Sequence, residues 1–385
     1  MADSSGLRIG FFAPSFYMPD VGGAEILMNR LACSLQDQGH AVVMVAPRRR
    51  GAAALAYPAV RTLPPFSKKC LTHPLLPLLY AWWRHRFEIL HCQGELHAPW
   101  VARRFSRLTG VPYVVRATGG GFETAEQQPR YRSVIRVGLS GAARVVAQGD
   151  FLYRLIRDVG VADERIVTIN NGVCIPDAGV DAGERPLPEP YFYYNGGFRP
   201  VKGYDLLVRA FSRVRAVLPG TCLVLAGRES ERPGELRALL AECALTEDTV
   251  RCVGLLSRED GGRYLRHAVA FVAPYRYSPF PNAVLEALAH GTPVIASAVG
   301  GHLEQIRPDR NEGLLFPSED VQALTEALIT VGRDPERRAE LATGARRRAD
   351  DFSWEGMVGA YGTLYAEVIA ESRAGMDAAT AELRR

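Results

Sequence analysis

Twice along its length the chain sets short apolar runs between amphipathic stretches, and a segment without any period separates the two series. In the first series residues 7–12, 41–46, 88–92, 113–117, 143–147 and 165–169 read as strands, with helices over 24–38, 98–108 and 150–159 among them. A strand, a helix and another apolar strand imply a crossover to a parallel neighbour, and parallel sheets are covered by helices on both faces. Residues 170–190, NNGVCIPDAGVDAGERPLPEP, crowd Gly, Pro and acidic residues and read as a linker. The alternation then restarts, with strands at 191–194, 221–226, 250–253 and 269–273 and helices at 204–217, 234–244 and 258–267. After residue 318 three helical segments follow, ending in an Ala-rich tail from Tyr361. The expected fold is therefore α/β, with two Rossmann-like doubly wound domains at 1–175 and 191–365 and a linker at 176–190. A C-terminal helix at about 366–385 is available to pack back on the first domain. Sheets of this kind bind ligands outside the carboxyl ends of their strands, so two of them facing a central cleft would put the ligand there.

Composition narrows the function. With 385 residues, 47% of them hydrophobic, the chain holds enough apolar mass for two cores. The first residues, MADSSGLRIGFFAP, lack the basic, apolar and small-residue regions of a secretory signal, so no export is expected. The longest greasy run, LLPLLYAWW at 75–83, falls short of the roughly 20 residues that cross a bilayer and is interrupted by Pro77. It reads as a core helix or as an interfacial patch. Seven scattered cysteines without a C-x-x-C pair give neither a zinc site nor a disulfide framework, which fits a reducing cytoplasm. Residues 1–180 hold 21 Lys and Arg against 13 Asp and Glu, while the remainder hold 25 against 29. The basic half reads either as a solvated surface or as a face for an anionic acceptor or the anionic inner leaflet of a membrane. No stacking aromatics interleave with its charges, so nucleic acid is not expected as a partner.

Chemistry concentrates in residues 278–301, SPFPNAVLEALAHGTPVIASAVGG: a polar loop, a short helix carrying Glu286, a strand and a double glycine. A loop and helix opening of this kind present backbone N–H groups and a positive dipole end to an anion, with a carboxylate close by. Asn282 is the expected N-cap, and the N–H groups from Phe280 through Ala283 to Val284 would face a diphosphate, although Pro281 contributes none. A carboxylate such as Glu286 offers two acceptor oxygens to the vicinal hydroxyls of a ribose. Lys202, in YNGGFRPVKGYDLL, is one of three lysines against 43 arginines, and its compact ammonium suits a diphosphate oxygen. Gly22 and Gly23 lie before the first helix, where glycines let the backbone approach a phosphate or sugar closely.

In their order along the chain these motifs resemble the family-4 glycosyltransferases of GT-B fold, from Gly22 to about Tyr365. The resemblance implies that Glu286 binds the ribose, that Gly22, Gly23 and Glu25 match a Gly-Gly-x-Glu run, and that Lys202 with its following glycine matches the diphosphate motif. It implies a retaining, metal-independent hexosyltransferase-type transfer with no cofactor, from a nucleoside diphosphate-sugar, UDP ahead of GDP, to a hydroxyl of a glycan, lipid-linked or small-molecule acceptor. The setting would be glycan, glycolipid or natural-product biosynthesis in the cytoplasm or at the inner face of the membrane. Three positions depart from the pattern. Ser278 stands where a second Glu is usual, Gly197 where an Arg precedes the lysine, and Thr118 where a His lies near the reacting centre. Arg199 is the candidate replacement for the missing arginine, so the expected catalytic set is Lys202, Arg199 and Thr118. Glu25, His91, Arg116, Gly119 and Gly120 are expected on the acceptor side, with a packed histidine as the other reading of His91. A catalytically silent GT-B partner subunit that binds nucleotide or glycan is the alternative function, and an epimerase or phosphorylase on the same scaffold a third.

Overall fold

The computed structural model describes residues 6–13, 23–47, 55–62, 74–176, 183–228 and 233–383. The chain divides into two compact units, Met1–Asn170 with Glu355–Arg385 (unit 1) and Asn171–Trp354 (unit 2).

Unit 1 runs β1 (Arg8–Phe12), α1 (Gly23–Asp37), β2 (Ala41–Pro47), β3 (Ala59–Thr62), α2 (Leu75–His85), β4 (Ile89–Gln93), α3 (Ala98–Thr109), β5 (Tyr113–Arg116), α4 (Gly120–Gln127), α5 (Arg130–Leu139), β6 (Arg144–Ala147), α6 (Asp150–Asp158) and β7 (Ile166–Thr168). Its seven strands lie in the order β3-β2-β1-β4-β5-β6-β7, every pair parallel. Ile9 pairs with Val42 on one side and Ile89 on the other, so the winding reverses between β1 and β4. All five residues of β4 are buried, as a strand covered on both faces requires. The C-terminal helix, Trp354–Leu383, belongs to unit 1 from Glu355 onward. Glu371 receives a 2.6 Å bond from Arg144, and Arg373 reaches Glu88.

Unit 2 runs β8 (Tyr191–Asn195), α7 (Tyr204–Val217), β9 (Cys222–Ala226), α8 (Pro233–Glu242), β10 (Val250–Gly254), α9 (Arg258–His267), β11 (Ala270–Ala273), α10 (Asn282–Ala289), β12 (Val294–Ser297), α11 (His302–Gln305), β13 (Leu314–Phe316), α12 (Val321–Arg333) and α13 (Pro335–Ala349). Its order, β10-β9-β8-β11-β12-β13, is again wholly parallel and reverses between β8 and β11. Helix starts follow local chemistry: Ser257, Asp320 and Asp334 accept from the N–H groups of Asp260, Ala323 and Arg337 at 2.9–3.0 Å. Glu312, buried without access to water, is satisfied by a bidentate fork from Arg307 at 2.7 and 2.8 Å.

Candidate functional site

A doubly wound sheet leaves its crevice where the strand order reverses. In unit 2 that point lies past Asn195 and Ala273, and two glycines close the segments beyond them. Gly203 has φ +63°, and a Cβ there would collide with the carbonyl of Pro274; Gly301 meets Pro279 in the same way. The contact at Gly203 ends a short 3₁₀ turn, Pro200–Lys202, against residues 274–276, where the N–H of Arg276 donates to the Val201 carbonyl at 2.9 Å. Lys202 Nζ comes to 4.2 Å from the centroid of the Tyr275 ring. Tyr275 is fixed from its other end, since its hydroxyl donates to the Asn195 carbonyl at 3.0 Å. Burial, and next the Glu286 carboxylate, push the hydroxyls of Tyr193 and Tyr275 up from the usual tyrosine value. Lys202 thus stands against a buried tyrosine at the switch point, and the charge of Glu286, 84 positions on in sequence, is near enough to contribute to the shift of that tyrosine.

The loop before α10 is held from the side. Asn171 donates through Nδ2 to Asn282 Oδ1 at 2.8 Å and to the Phe280 carbonyl at 3.3 Å. Asn282 is thus not the N-cap: that position is Pro281, extended at φ −74° and ψ 125°, with no side-chain cap, and Asn282 is the first helical residue. Its Oδ1 accepts from Asn171 instead of from the N–H groups two or three residues further along the helix, as a cap would. Phe280 is buried edge-on to Phe352 at 5.7 Å, Val284 is buried, and Ala283 is part-buried against the core. Ser278 is buried, and its carbonyl accepts from Gly301 at 2.9 Å. Arg199 is exposed. Gly197, at φ +68°, lies against Gly227, whose added Cβ would stand 2.5 Å from the Gly197 nitrogen.

His302 follows the double glycine and is completely buried, its Nδ1 2.8 Å from the Ser297 carbonyl and its ring 5.4 Å from that of Tyr275. A carbonyl only accepts, so Nδ1 carries the proton and Nε2 is the bare acceptor. Burial pushes this imidazole down to about 4, and the positive charge of Lys202 pushes in the same direction.

In unit 1 the site is organised by a residue the sequence reading did not single out. Glu95, buried past the end of β4, accepts from the N–H and hydroxyl of Thr118 at 2.8 and 3.1 Å and from the N–H of Gly121. One carboxylate thereby satisfies the start of α4, where Gly119 sits left-handed at φ +86°. Gly121 has to be glycine, because a Cβ would meet the Glu95 side chain at 2.7 Å. Thr118 is half-buried and Gly120 exposed, with open space where a Cβ would point. Glu25 lies in the first turn of α1 and Gly23 opens it; Gly22 lies outside the described residues.

His91 and Arg116 are buried in the core of unit 1, which for His91 is the packed reading and for Arg116 differs from the expected acceptor-side position. His91 is wholly buried, stacked on Phe11 at 4.8 Å, with Nδ1 2.7 Å from the Tyr365 hydroxyl. Burial, with the charge of Arg116, holds its imidazole down at about 3. Arg116 is buried on β5, where its charge also acts on Tyr361 and Tyr365. Both residues lie on central strands whose two faces are covered, which is why a strand-end position in sequence did not translate into exposure. Among the described residues no group of three or more His, Cys, Asp or Glu is placed to hold a metal ion.

Comparison with known proteins agrees with this arrangement. Residues 22–172 match the family described as Glycosyl transferase 4-like domain, and residues 180–348 match Glycosyl transferases group 1. Among curated relatives, a D-inositol 3-phosphate glycosyltransferase of Salinispora tropica is 36% identical over 74% of this chain and 65% of its own length. One from Salinispora arenicola is 30% identical over 74% of this chain and 69% of its own length, and one from Saccharomonospora viridis 31% identical over 62% and 60%. The chain thus spans less than two thirds of two of these three relatives. Among solved structures, a sucrose-phosphate synthase from Thermosynechococcus elongatus superposes with a TM-score of 0.82 at 23% identity, over 95% of this chain and all of that one. Anabaena HepE, solved with UDP-glucose, gives 0.77 at 18% identity over the same shares.

Proposed function

Because the chain belongs to the family-4 glycosyltransferases of GT-B fold, we propose that it is a retaining transferase that moves a sugar from a nucleoside diphosphate-sugar to an acceptor hydroxyl. The observation that carries this reading is the placing of Lys202 Nζ 4.2 Å from the Tyr275 ring at the strand reversal of unit 2, with Glu286 on the α10 helix that follows. Glu286 would take the ribose diol, and Lys202 the diphosphate. As the bond between anomeric carbon and phosphate oxygen breaks, charge grows on the leaving diphosphate, and a preplaced ammonium with the α10 N-terminus stabilises it more than it stabilises the bound donor. The acceptor hydroxyl attacks on the face from which the nucleotide departs, and its proton passes to the departing phosphate oxygen. No side-chain nucleophile is required by this route. The UDP-glucose bound to HepE supports UDP as the nucleotide. The excess of basic residues in the first 180 supports an anionic acceptor, or an acceptor presented at the cytoplasmic face of a membrane.

The test is a screen of UDP- and GDP-sugars for release of nucleoside diphosphate, run with the native protein and Glu286→Gln. Slow hydrolysis of one donor is expected, with nucleotide affinity in the variant weakened by about 1–3 kcal/mol. Nucleotide binding without hydrolysis of any donor, and without transfer to any acceptor, would replace this reading with that of a silent binding subunit.

A further inference from the structure

The helix that the sequence left as either core or interface is both. Leu78 and Ala81 of α2 are completely buried, while Leu76, Tyr80 and Trp83 stand 74%, 55% and 62% exposed. Their spacing, i, i+4 and i+7, lines them on one face, with the Tyr80 and Trp83 rings 6.3 Å apart. Large side chains in a contiguous exposed row mark an interaction surface, whereas single exposed ones do not.

The charges around this row say what it meets. Arg84 is exposed one turn beyond Tyr80, and Arg86, exposed at the end of α2, holds its guanidinium 5.2 Å from the Trp82 ring centroid. Helix α3 packs beside α2 through the edge-on contact of Trp82 and Phe105 at 6.3 Å, and adds the exposed Arg104 and Arg107. Neither helix contains an Asp or Glu. Glu88, the next acid after α2, is taken up by Arg8 and Arg373, and Glu95 is buried. A second copy of this chain is a poor occupant, because pairing the row with itself would bring like-charged rims together. An anionic bilayer suits it in three ways. Trp and Tyr favour the headgroup level, Leu76 can enter the acyl boundary, and the arginines meet lipid phosphates while their stems stay on the apolar surface.

We propose that the α2 face, with Leu76, Tyr80 and Trp83 at its centre and Arg84 and Arg86 at its edge, is a docking surface for an anionic lipid bilayer. It gives a location to the membrane contact raised above and does not depend on the donor chemistry of unit 2. No helix among the described residues is long and apolar enough to cross a membrane, so the attachment is peripheral and reversible.

The test is co-sedimentation with vesicles of phosphatidylcholine alone and of phosphatidylcholine mixed with phosphatidylglycerol. The native protein should pellet with the anionic vesicles, and added salt should weaken this by about tenfold or more as the arginines are screened. Trp83→Ser alone, the combined Leu76→Ser, Tyr80→Ser and Trp83→Ser variant, and the pair Arg84→Gln with Arg86→Gln should each lose about tenfold or more. Thermal unfolding of unit 1, in which α2 lies, should stay at native values, which separates a lost surface from a lost fold, and nucleotide binding to unit 2 should be unchanged as well. Equal binding to both vesicle types, binding to neither, or native binding by the variants overturns the proposal. So does a dimer in solution that Trp83→Ser dissociates.

Discussion

Acidification should loosen both units, and the largest share follows from three histidines; His40, lowered by burial, and His85, lowered by burial and Arg84, are less buried and act in the same direction. His91 in unit 1 is held down at about 3, chiefly by burial and then by Arg116. In unit 2 His302 is held at about 4 by burial and Lys202, and His290 at about 4 by burial followed by Arg266, Arg258 and Arg346. In an unfolded chain each titrates near 6.5. A folded value below the unfolded one means that the unfolded chain binds more protons between the two, so stability is complete above about pH 7 and falls as pH drops below about 6.5. At about pH 5 the shortfall is roughly 1.5 pH units, or about 2 kcal/mol each for His91 and His302. His290, which water reaches in part, contributes less, about 1 kcal/mol. Unit 2 should therefore lose about 3 kcal/mol and unit 1 about 2, against total stabilities of roughly 5–15 for ordinary domains. The Asp205 carboxyl, held below its ordinary value by Arg276 against the opposing effect of its burial, loses its contribution only at lower pH. Urea unfolding at about pH 8, 6 and 5 measures the loss, and His302→Gln and His91→Gln should each flatten the decline by one histidine's share while lowering stability at the upper end. A free energy of unfolding that is flat from pH 8 to 5, or variants that keep the native slope, would show that these imidazoles are not held neutral in the folded protein.

Three further outcomes are expected. Lys202→Ala should reduce turnover more than it reduces donor affinity; an unchanged kcat with equal losses in affinity and in kcat/KM would reduce the lysine to a binding contact. Glu95→Ala leaves the buried N–H of Gly121 and that of Thr118 without their acceptor, so chemical denaturation should find unit 1 weakened by about 2–4 kcal/mol. Ser278→Glu restores a carboxylate where the family usually has one, and should either improve use of an ordinary hexose donor or abolish use of the native one; full native activity on an ordinary hexose nucleotide, unaltered by the substitution, would mean that residue 278 does not touch the sugar.

Much of the frame was legible because a parallel sheet writes itself as apolar runs at crossover spacing. The strand pairs beginning with β1 and β8, and the helices between them, follow that rule. Short edge strands carry too little apolar sequence to register, hence β3 and β13 passed unnoticed. Helices α4 and α5 hid behind three glycines and Pro129, residues that punctuate a sequence whether or not a helix starts there. Glu286 and Lys202 were legible from their motifs, but Tyr275, against which Lys202 stands, reads in sequence as one more core aromatic. Glu95, Asn171 and His302 act on segments 23, 111 and 5 positions away, respectively. For His302 a signal existed, a histidine immediately after a double glycine at a strand end. For Glu95 it was a lone acid past an apolar strand, which nothing local distinguishes from a solvated one.

The structure places each of the three departures from the family pattern. Each of the three residues now at these positions is held by its surroundings. Thr118 is bound through both its N–H and its hydroxyl to Glu95. Gly197 occupies a left-handed conformation against Gly227, where an arginine would carry backbone strain of about 1 kcal/mol as well as its contact. Ser278 is buried, and its carbonyl accepts from the N–H of Gly301. In the proposed reaction Lys202 acts on the leaving diphosphate, and its setting suits that role. The face of an aromatic ring attracts an ammonium without neutralising it, and the neutral His302 behind that ring adds no competing charge. In the proposed reaction the leaving diphosphate is stabilised by Lys202 and the adjoining helix opening, which is why kcat in Lys202→Ala is a sensitive measure of whether this chain transfers sugar.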